Sequence, residues 1–473
     1  MVFSSSIFLL YFLPLFLLVY HLVRPKFKNY VILLSSVLFY SWGAPKFLFV
    51  ILGSTIIDFY IVRELFRNTD VFKRKLLLSL SIFINLGLLV YFKYANFFIE
   101  NLNYTLSSIG INDVEWVNVV LPIGISFYTF QTLTYSIDVY RKKHEPLSKL
   151  TDYLVYIMSF PQMIAGPIVR FSTIADQITD RKEVIDDKLI GFYRFSIGLA
   201  KKVLIANVMA EQAELIFESD YSFLTTQNAW LGMLAYTFQI YFDFSGYSDM
   251  AIGLGKMMGF KFPENFNSPY VSRSISEFWR RWHITLGDFM RDYLYIPLGG
   301  NRVKSKYRLY FNLWIVFILS GLWHGASWNY VIWGAYHGVF LILDRLFLQK
   351  MLNKIGKLPA ILLTFVFVMF GWVIFKIEDF DLLKVYLTAL IQPFENFELN
   401  TIPAFGLIGC IAIFFAFFTS LPIGQKISQF IFESDKYSFK NHIILTFVSL
   451  LLFIVSLSSI TSSGFNPFIY FRF

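Results

Sequence analysis

Residues 361–375 read ILLTFVFVMFGWVIF, an apolar run without one charged side chain. Two further runs of the same kind are SIFLLYFLPLFLLVYHLV at residues 6–23 and LLLSLSIFINLGLLVYF at residues 76–92. A helix needs about 17 to 25 predominantly apolar residues to cross a bilayer. These runs approach or reach that length, so the sequence predicts a polytopic membrane protein.

The composition of the whole chain agrees with these runs. Of 473 residues, 56% are hydrophobic and 15% are charged, whereas soluble domains carry about 25% charged residues. This balance excludes an ordinary soluble enzyme, and it excludes a disordered chain because disorder requires low hydropathy and high charge. We expect an all-α fold with roughly ten to twelve helices at membrane depth and additional interfacial cytoplasmic helices. No internal repeat or linker is visible, so residues 1–473 are expected to form a single domain.

Loop charges predict how the first third of the chain is threaded. Residues 63–75 and 141–152 are net basic, whereas residues 100–115 carry three acidic residues and no Lys or Arg. Basic loops stay in the cytoplasm, and the signs match spans near 5–23, 30–42, 47–62, 76–98 and 119–140. The sequence therefore predicts a multi-pass protein of the cytoplasmic (inner) membrane. The same sorting explains most of the net charge of +9, so nucleic acid is not an expected partner.

Two later segments are less regular. Residues 151–170 hold two prolines and a glycine inside an apolar run, which indicates a broken or re-entrant helix covered by protein. Residues 189–218 carry Lys201 and Lys202 between apolar halves. A central crossing there would be costly, so we expect an interfacial or tilted helix. Cys410, within the apolar stretch 403–422, is expected to pack as a small hydrophobe.

Residues 271–308 combine aromatic and basic side chains. Ser274 and Glu277 fit a capping box, which predicts a helix start at this point. Pro297, followed by two glycines, ends the next helix. The helical segment between Ser274 and Pro297 carries Arg280, Arg281 and Arg291 among several aromatic residues. An amphipathic helix of this kind lies on a membrane surface, and the excess of basic residues places it on the cytoplasmic side, in contact with membrane lipids.

Two histidines have a setting that suggests chemistry. His324 lies in an apolar helical stretch between Gly321 and Gly325. The small neighbours would let a substrate approach the imidazole, or they would form a packing seam around a hydrogen-bonded core histidine. On a continuous helix His337 would lie about 220° from His324, which favours a packing role. His283 is the second histidine and lies at the end of WRRWH. If it has no chemical role, it is an interfacial histidine that contacts water or lipid phosphate.

The remaining ionisable residues suggest no second catalytic centre. Asp243 and Asp249 are six residues apart, about 240° around a helix, so they do not share a face as a catalytic dyad would. We favour a structural role as partners for arginines over an ion path. The sequence holds no His-x-x-x-His pair, and its single cysteine excludes a cysteine pair; no metal site is predicted.

Several long motifs in order resemble the membrane-bound O-acyltransferase family, and within it the bacterial alginate O-acetylation branch. The resemblance extends over nearly the whole chain. The segments that carry it are MVFSS (1–5), PQMIAGPIVR (161–170), FDFSGYSDMAIGLGKMMGFKFPENFNSPY (242–270), FWRRWHITLGDFMRDYLYIPLGGNR (278–302), SGLWHGASWNY (320–330) and FIYFRF (468–473).

The resemblance implies a site and a reaction. In this family the histidine of the W-H-G motif is catalytic, which maps onto His324, and a second polar position maps onto His283. The implied reaction moves an acetyl group from acetyl-CoA, as substrate with no bound cofactor, to a hydroxyl. A neutral histidine can take the proton of that hydroxyl and return it to the leaving thiolate.

The resemblance also implies a route across the membrane. Acetyl-CoA is cytoplasmic and the modified sugar lies outside, so the core is expected to contain a tunnel or funnel that meets at the histidine. Arg280, Arg281 and Arg291 would hold the phosphates of the donor, although binding of lipid explains them equally well. The expected partner is an extracytoplasmic acetyltransferase of the serine-hydrolase type, and the acceptor is an alginate-type polysaccharide or peptidoglycan. Alternatives are D-alanyl transfer to teichoic acid, a transporter, or a non-catalytic scaffold for polysaccharide export.

Overall fold

The computed structural model of this chain describes residues 1–393 and 437–468, with six single positions between these ranges. Within the described residues, all regular structure is helical, which confirms the all-α prediction. Cys410, most of the stretch 403–422 and the last five residues of FIYFRF lie outside the described residues.

Five helical segments in the described part of the chain are long and apolar enough to cross a membrane: Pro45–Arg67, Val71–Ser108, Trp328–Lys354, Lys357–Lys376 and Phe439–Ser462. The fourth contains the run at 361–375. Its end residues are lysines, whose charged groups can reach the interfaces, and Pro359 lies in the first turn, where a missing N–H breaks no helical hydrogen bond. The multi-pass prediction is therefore confirmed.

The described residues group into two compact units. The first comprises residues 1–188 and 254–263. Helices lie at all five predicted spans, and two of them, Pro45–Arg67 and Val71–Ser108, are long and apolar enough to cross a membrane. Residues 151–170 form the expected broken helix, interrupted at Ser159 and buried over most of its length. The helices are α1 Leu13–Leu22, α2 Lys28–Gly43, α3 Leu48–Arg67, α4 Val71–Ser108, α5 Ile125–Tyr140, α6 Leu150–Met158, α7 Phe160–Met163 and α8 Phe171–Thr179.

The second unit comprises residues 189–253 and 264–473. It holds every histidine and arginine that the sequence singled out as a site residue. The prediction of one domain over residues 1–473 stays a prediction. The remaining helices are α9 Ile185–Ala200, α10 Asn207–Phe217, α11 Thr226–Met257, α12 Ile275–Arg281, α13 Ile284–Phe289, α14 Lys306–His324, α15 Trp328–Leu343, α16 Gln349–Lys354, α17 Lys357–Lys376, α18 Phe380–Ala389 and α19 Phe439–Ser462.

Helices α9 and α10 are joined by a π-helical turn, Lys201–Ala206, into one continuous helical run. The two lysines in that turn are neutralised by α11: Lys202 pairs with Asp243 at 2.7 Å and Lys201 with Asp249 at 2.6 Å. Asp249 also accepts from Arg194 at 2.9 Å. The structural role predicted for the aspartates is confirmed, with an arginine as partner of Asp249 but a lysine as partner of Asp243. The pairing offsets the cost of burying charge that led to the prediction of an interfacial or tilted helix for residues 189–218.

Helices α14 and α15 form an antiparallel hairpin whose contact depends on glycine. A methyl group at Gly321 would lie 2.1 Å from the carbonyl oxygen of Tyr330, and one at Gly334 would lie 2.4 Å from that of Phe317. Backbone atoms at this distance cannot move aside cheaply, so the two helices pack through the small-residue seam that the glycine spacing suggested.

We expect Gly321→Ala to destabilise the protein by about 1–3 kcal/mol or more, because the added methyl group overpacks this seam. Gly87→Ala in α4 is the matched control, since a methyl group there would meet nothing within 4 Å. The measurement is the thermal unfolding midpoint of both variants in the same detergent. Equal midpoints for Gly321→Ala and wild type would contradict the close packing of α14 on α15.

Candidate active site

The site begins with α12, whose first turn is fixed by its sequence. The Ser274 hydroxyl accepts from the Glu277 N–H at 3.1 Å, and the Glu277 carboxylate accepts from the Arg273 N–H at 2.9 Å. The predicted helix start is confirmed. The chain turns after Tyr295, where Gly299 and Gly300 adopt positive φ angles of 107° and 52°, so the predicted helix end near Pro297 is confirmed too.

His283 lies between α12 and α13 and is 1% exposed. Its φ of +45° places a non-glycine residue in the left-handed region, a strained conformation that is concentrated at functional sites. Its Nδ1 lies 3.0 Å from Asn265 Oδ1. Because that oxygen also accepts from the Thr285 backbone N–H, it is an acceptor, and Nδ1 of His283 therefore carries the proton.

The other ring nitrogen of His283 is left as a base. Nε2 is buried and has no hydrogen-bond partner among the described residues. Burial holds the pKa of His283 well below its usual range, and the neighbouring His324 lowers that pKa further. The imidazole is consequently neutral at pH 7, with a lone pair on Nε2.

His324 is the last residue of α14 and is also buried. Its Nδ1 lies 2.6 Å from the carbonyl oxygen of Ser320. A carbonyl oxygen can only accept, so Nδ1–H donates, and in the neutral ring Nε2 carries the lone pair. The rings of Trp333 and Phe375 contact the imidazole at centroid distances of 5.0 and 5.6 Å. His324 therefore has the tautomer that a general base requires at Nε2.

Trp323 brings the two predicted histidines into one cluster. Its ring centroid lies 6.0 Å from that of His283 and 4.9 Å from that of His324. His337 belongs to the same surroundings because its ring, like that of His324, contacts Trp333. The premise of one continuous helix through both residues is wrong: α14 ends at His324, and Gly325 is extended.

A cavity of about 460 Å³ extends beside His283. Part of its wall is apolar: Trp279, Ile284, Leu286, Met290, Val316 and Phe317. Polar or charged lining residues include Arg280, His283, Asp288, Arg291, Ser320 and Arg345. Since the Ser320 carbonyl also holds the ring of His324, the cavity joins the histidine cluster to a group of arginines.

The three predicted arginines occupy different positions. Arg280 and Arg291 line the cavity, and Arg291 is held by Asp288 and Asp292 at 2.7 Å each. Arg281 is absent from that lining; its guanidinium donates to Glu277 at 2.9 and 3.0 Å.

Sequence reasoning missed two residues of the site. Asn265 lies in PENFN, which is part of a segment that carries the family resemblance, but the sequence predicts no role for this residue. Arg345 follows α15 and donates to Asn301 at 3.0 Å. Nothing in the local sequence of Arg345 indicates a site, because its place at the cavity depends on the hairpin of α14 and α15.

Comparison with known proteins identifies the family. Residues 76–378 match the family model of the membrane-bound O-acyltransferases. The chain belongs to this family. It is 40% identical to the probable alginate O-acetylase AlgI of Pseudomonas putida over the full length of both chains.

Two other relatives cover most of the chain. The probable alginate O-acetylase AlgI of Pseudomonas aeruginosa is 45% identical over 80% of this chain and 72% of the relative. The peptidoglycan O-acetyltransferase of Helicobacter pylori is 37% identical over 80% of this chain and 78% of the relative. The predicted resemblance to the membrane-bound O-acyltransferases and to their alginate O-acetylation branch is thus confirmed, and the relatives' names agree with an acyltransferase activity for this family member.

Proposed function

We propose that this protein transfers an acetyl group from cytoplasmic acetyl-CoA across the inner membrane for O-acetylation of an extracytoplasmic polysaccharide, of the alginate type or peptidoglycan. The names of the three relatives support the acetyl group and the polymer class. The observation that carries the chemistry is the pair of buried imidazoles, His324 and His283, each with its Nδ1 proton donated to a protein oxygen.

In the proposed reaction, His324 Nε2 removes the proton of the acceptor hydroxyl. The hydroxyl oxygen forms a bond to the thioester carbonyl carbon, and the carbon–sulfur bond breaks. The proton then passes from His324 to the leaving thiolate, so the imidazole returns to its neutral state. His283 lines the cavity, and its Nε2, as a second neutral acceptor, orients the reacting hydroxyl. The rest of the rate enhancement comes from holding donor and acceptor in line.

The fold is proposed to contain ten to twelve helices at membrane depth, a count that rests on sequence reasoning. A tunnel or funnel is proposed to connect the cytoplasmic mouth, formed by α12 and α13, to the outer side and to meet at His324. The basic character of residues 271–308 supports the cytoplasmic placement of that mouth. An extracytoplasmic acetyltransferase of the serine-hydrolase type is the proposed receiver of the acetyl group.

Arg280 and Arg291 are proposed to hold the phosphates of acetyl-CoA, because guanidinium groups match phosphate geometry and both residues line the cavity. We expect Arg280→Ala to raise the KM for acetyl-CoA about tenfold or more, with a small effect on kcat, since the lost contact is to a non-reacting part of the donor.

Arg281→Ala is the matched control for Arg280→Ala. The two residues are adjacent, but Arg281 is held by Glu277, so we expect a KM within about twofold of wild type. The measurement is initial rate against acetyl-CoA concentration for both variants in nanodiscs. Equal KM values for Arg280→Ala and wild type would contradict the proposed phosphate contact, and a larger effect of Arg281→Ala would assign that contact to Arg281.

The function itself is tested with purified protein in nanodiscs, labelled acetyl-CoA and soluble fragments of alginate or peptidoglycan. We expect free coenzyme A and ester-linked acetyl groups to appear in equal amounts. A parallel reaction with a D-alanyl thioester tests the teichoic acid alternative. Transfer of D-alanyl but not acetyl groups would refute the proposed donor. The reaction is repeated with the extracytoplasmic acetyltransferase added, and thioester turnover that still leaves no ester on the fragments would refute the proposed acceptors.

A further inference from the structure

Asn265 is 1% exposed, and its side-chain amide is held at both ends. Its Oδ1 accepts from His283 Nδ1 at 3.0 Å and from the Thr285 hydroxyl at 2.9 Å. Its Nδ2 donates to the Ser248 hydroxyl at 3.1 Å. Rotation of this amide would leave several buried polar groups without partners, which is costly. The position of the amide oxygen is therefore fixed.

The backbone of Asn265 also holds His283. The N–H of Ile284 donates to the carbonyl oxygen of Asn265 at 2.9 Å, directly after the residue with the left-handed conformation. The preceding loop thus fixes both the strained backbone of His283 and the direction of its ring. No other residue in the described part of the chain forms a hydrogen bond with the His283 ring nitrogens.

We infer that Asn265 is a positioning residue for acyl transfer, whose amide oxygen fixes the Nδ1–H tautomer of His283 and leaves the Nε2 lone pair for the cavity. The inference rests on the role proposed above for His283. It matters that residue 265 has an amide and not a carboxylate. The neutral amide oxygen accepts a hydrogen bond from Nδ1–H and does not stabilise the charged imidazolium as a carboxylate would. A carboxylate at the same place would accept the same hydrogen bond and favour the protonated ring.

Few titratable or charged groups surround the His283 ring. On α14, the protonated form of His324 would lower the pKa of His283. Phe244 contacts its ring edge-on at 4.6 Å and adds no charge. The other titratable or charged groups that line the cavity beside His283 are Arg280, Asp288, Arg291, Tyr295 and Arg345. A new negative charge at residue 265, directly bonded to the ring, would be closer than the charges on these long side chains.

The test is Asn265→Asp, a near-isosteric change. We expect it to raise the pKa of His283, because a directly bonded negative charge favours the protonated ring. The ring would then be protonated, and unreactive at Nε2, below the raised pKa. The readout is carbethoxylation of His283 by diethylpyrocarbonate, followed by mass spectrometry from about pH 5 to pH 8 and corrected for reagent hydrolysis.

For Asn265→Asp we expect the rate of His283 labelling to begin to fall at a higher pH than in wild type, by about tenfold per pH unit below the raised pKa. The acid limb of kcat should move upward by the same amount. Asn267→Asp is the matched control, because that side chain is exposed, and it should behave as wild type. A labelling profile of Asn265→Asp that matches wild type would overturn the inference.

Asn265→Ala supplies a second variant. Without the amide oxygen the tautomer is no longer fixed, so we expect kcat to fall about tenfold or more at every pH, with the KM for acetyl-CoA little changed. Asn265→Asp should recover activity relative to Asn265→Ala at alkaline pH, since it keeps the hydrogen bond. Correctly inserted Asn265→Ala with the wild-type kcat would overturn the inference. Labelling needs no turnover, so it decides the role of Asn265 even if the proposed acetyl transfer fails.

Discussion

Replacement of His324 by alanine is expected to lower kcat for acetyl transfer by about 10²- to 10⁴-fold, the contribution of a positioned general base. The reason is the bond from Nδ1–H to the Ser320 carbonyl at 2.6 Å, which places the lone pair on Nε2. Alanine removes that base but leaves the arginines of the cavity in place, so the KM for acetyl-CoA should change little. The measurement is steady-state kinetics in nanodiscs.

His144→Ala is the control for this variant. His144 is half-buried in the first unit, and its ring contacts Phe171 at a centroid distance of 5.8 Å. We expect its kcat to stay within about twofold of wild type, as for a substitution away from the site. If correctly inserted His324→Ala retained wild-type kcat, the base would lie elsewhere, and a transporter or a scaffold would become the better hypothesis for the function.

Loss of the buried lysine in the π-helical turn should have the largest effect on stability. Lys202 and Asp243 are 2% and 3% exposed at their side chains and lie 2.7 Å apart. Removing one partner of a buried ion pair costs about 3–5 kcal/mol, because the remaining charge stays in a medium of low polarity. We therefore expect Lys202→Ala to lower the free energy of unfolding by that amount, measured as denaturant-induced unfolding in mixed micelles.

Two further variants separate charge from packing. Lys202→Met combined with Asp243→Leu removes both charges at similar volume, and it should regain most of the lost stability. Lys256→Ala removes one partner of the more exposed pair with Asp187, whose atoms are 3.9 Å apart, and should cost less than about 1 kcal/mol. Equal unfolding free energies for Lys202→Ala and Lys256→Ala would show that burial does not govern the first pair.

The helices of this fold were largely predictable, because the information for them is local. The run at 361–375 becomes α17, and Ser274 with Glu277 begins α12 as their spacing predicts. The pairing of Lys201 with Asp249 was not predictable in the same way. Its residues are 48 positions apart, so the prediction of an interfacial or tilted helix was made from the charge of the lysines alone, without their partners on α11.

The site was predictable only where a motif named the residue. His324 and His283 came from the W-H-G motif and the aromatic-basic helix, and the structure brings both to Trp323. Asn265 and Arg345 act through contacts between distant segments, which no periodicity in their own sequence indicates. His337 was placed by helical geometry across a break at Gly325, and a glycine in an apolar run does not by itself predict such a break.

The most direct measurement of the central claim is made in proteoliposomes with the basic loops facing outward. Labelled acetyl-CoA is added outside, and alginate or peptidoglycan fragments are enclosed within. We expect ester-linked label on the enclosed fragments with wild type, and none above background with His324→Ala or with sealed protein-free vesicles. If the extracytoplasmic partner is required, its enclosure with the fragments should permit labelling. Label that appears only on fragments added outside would contradict transfer across the membrane.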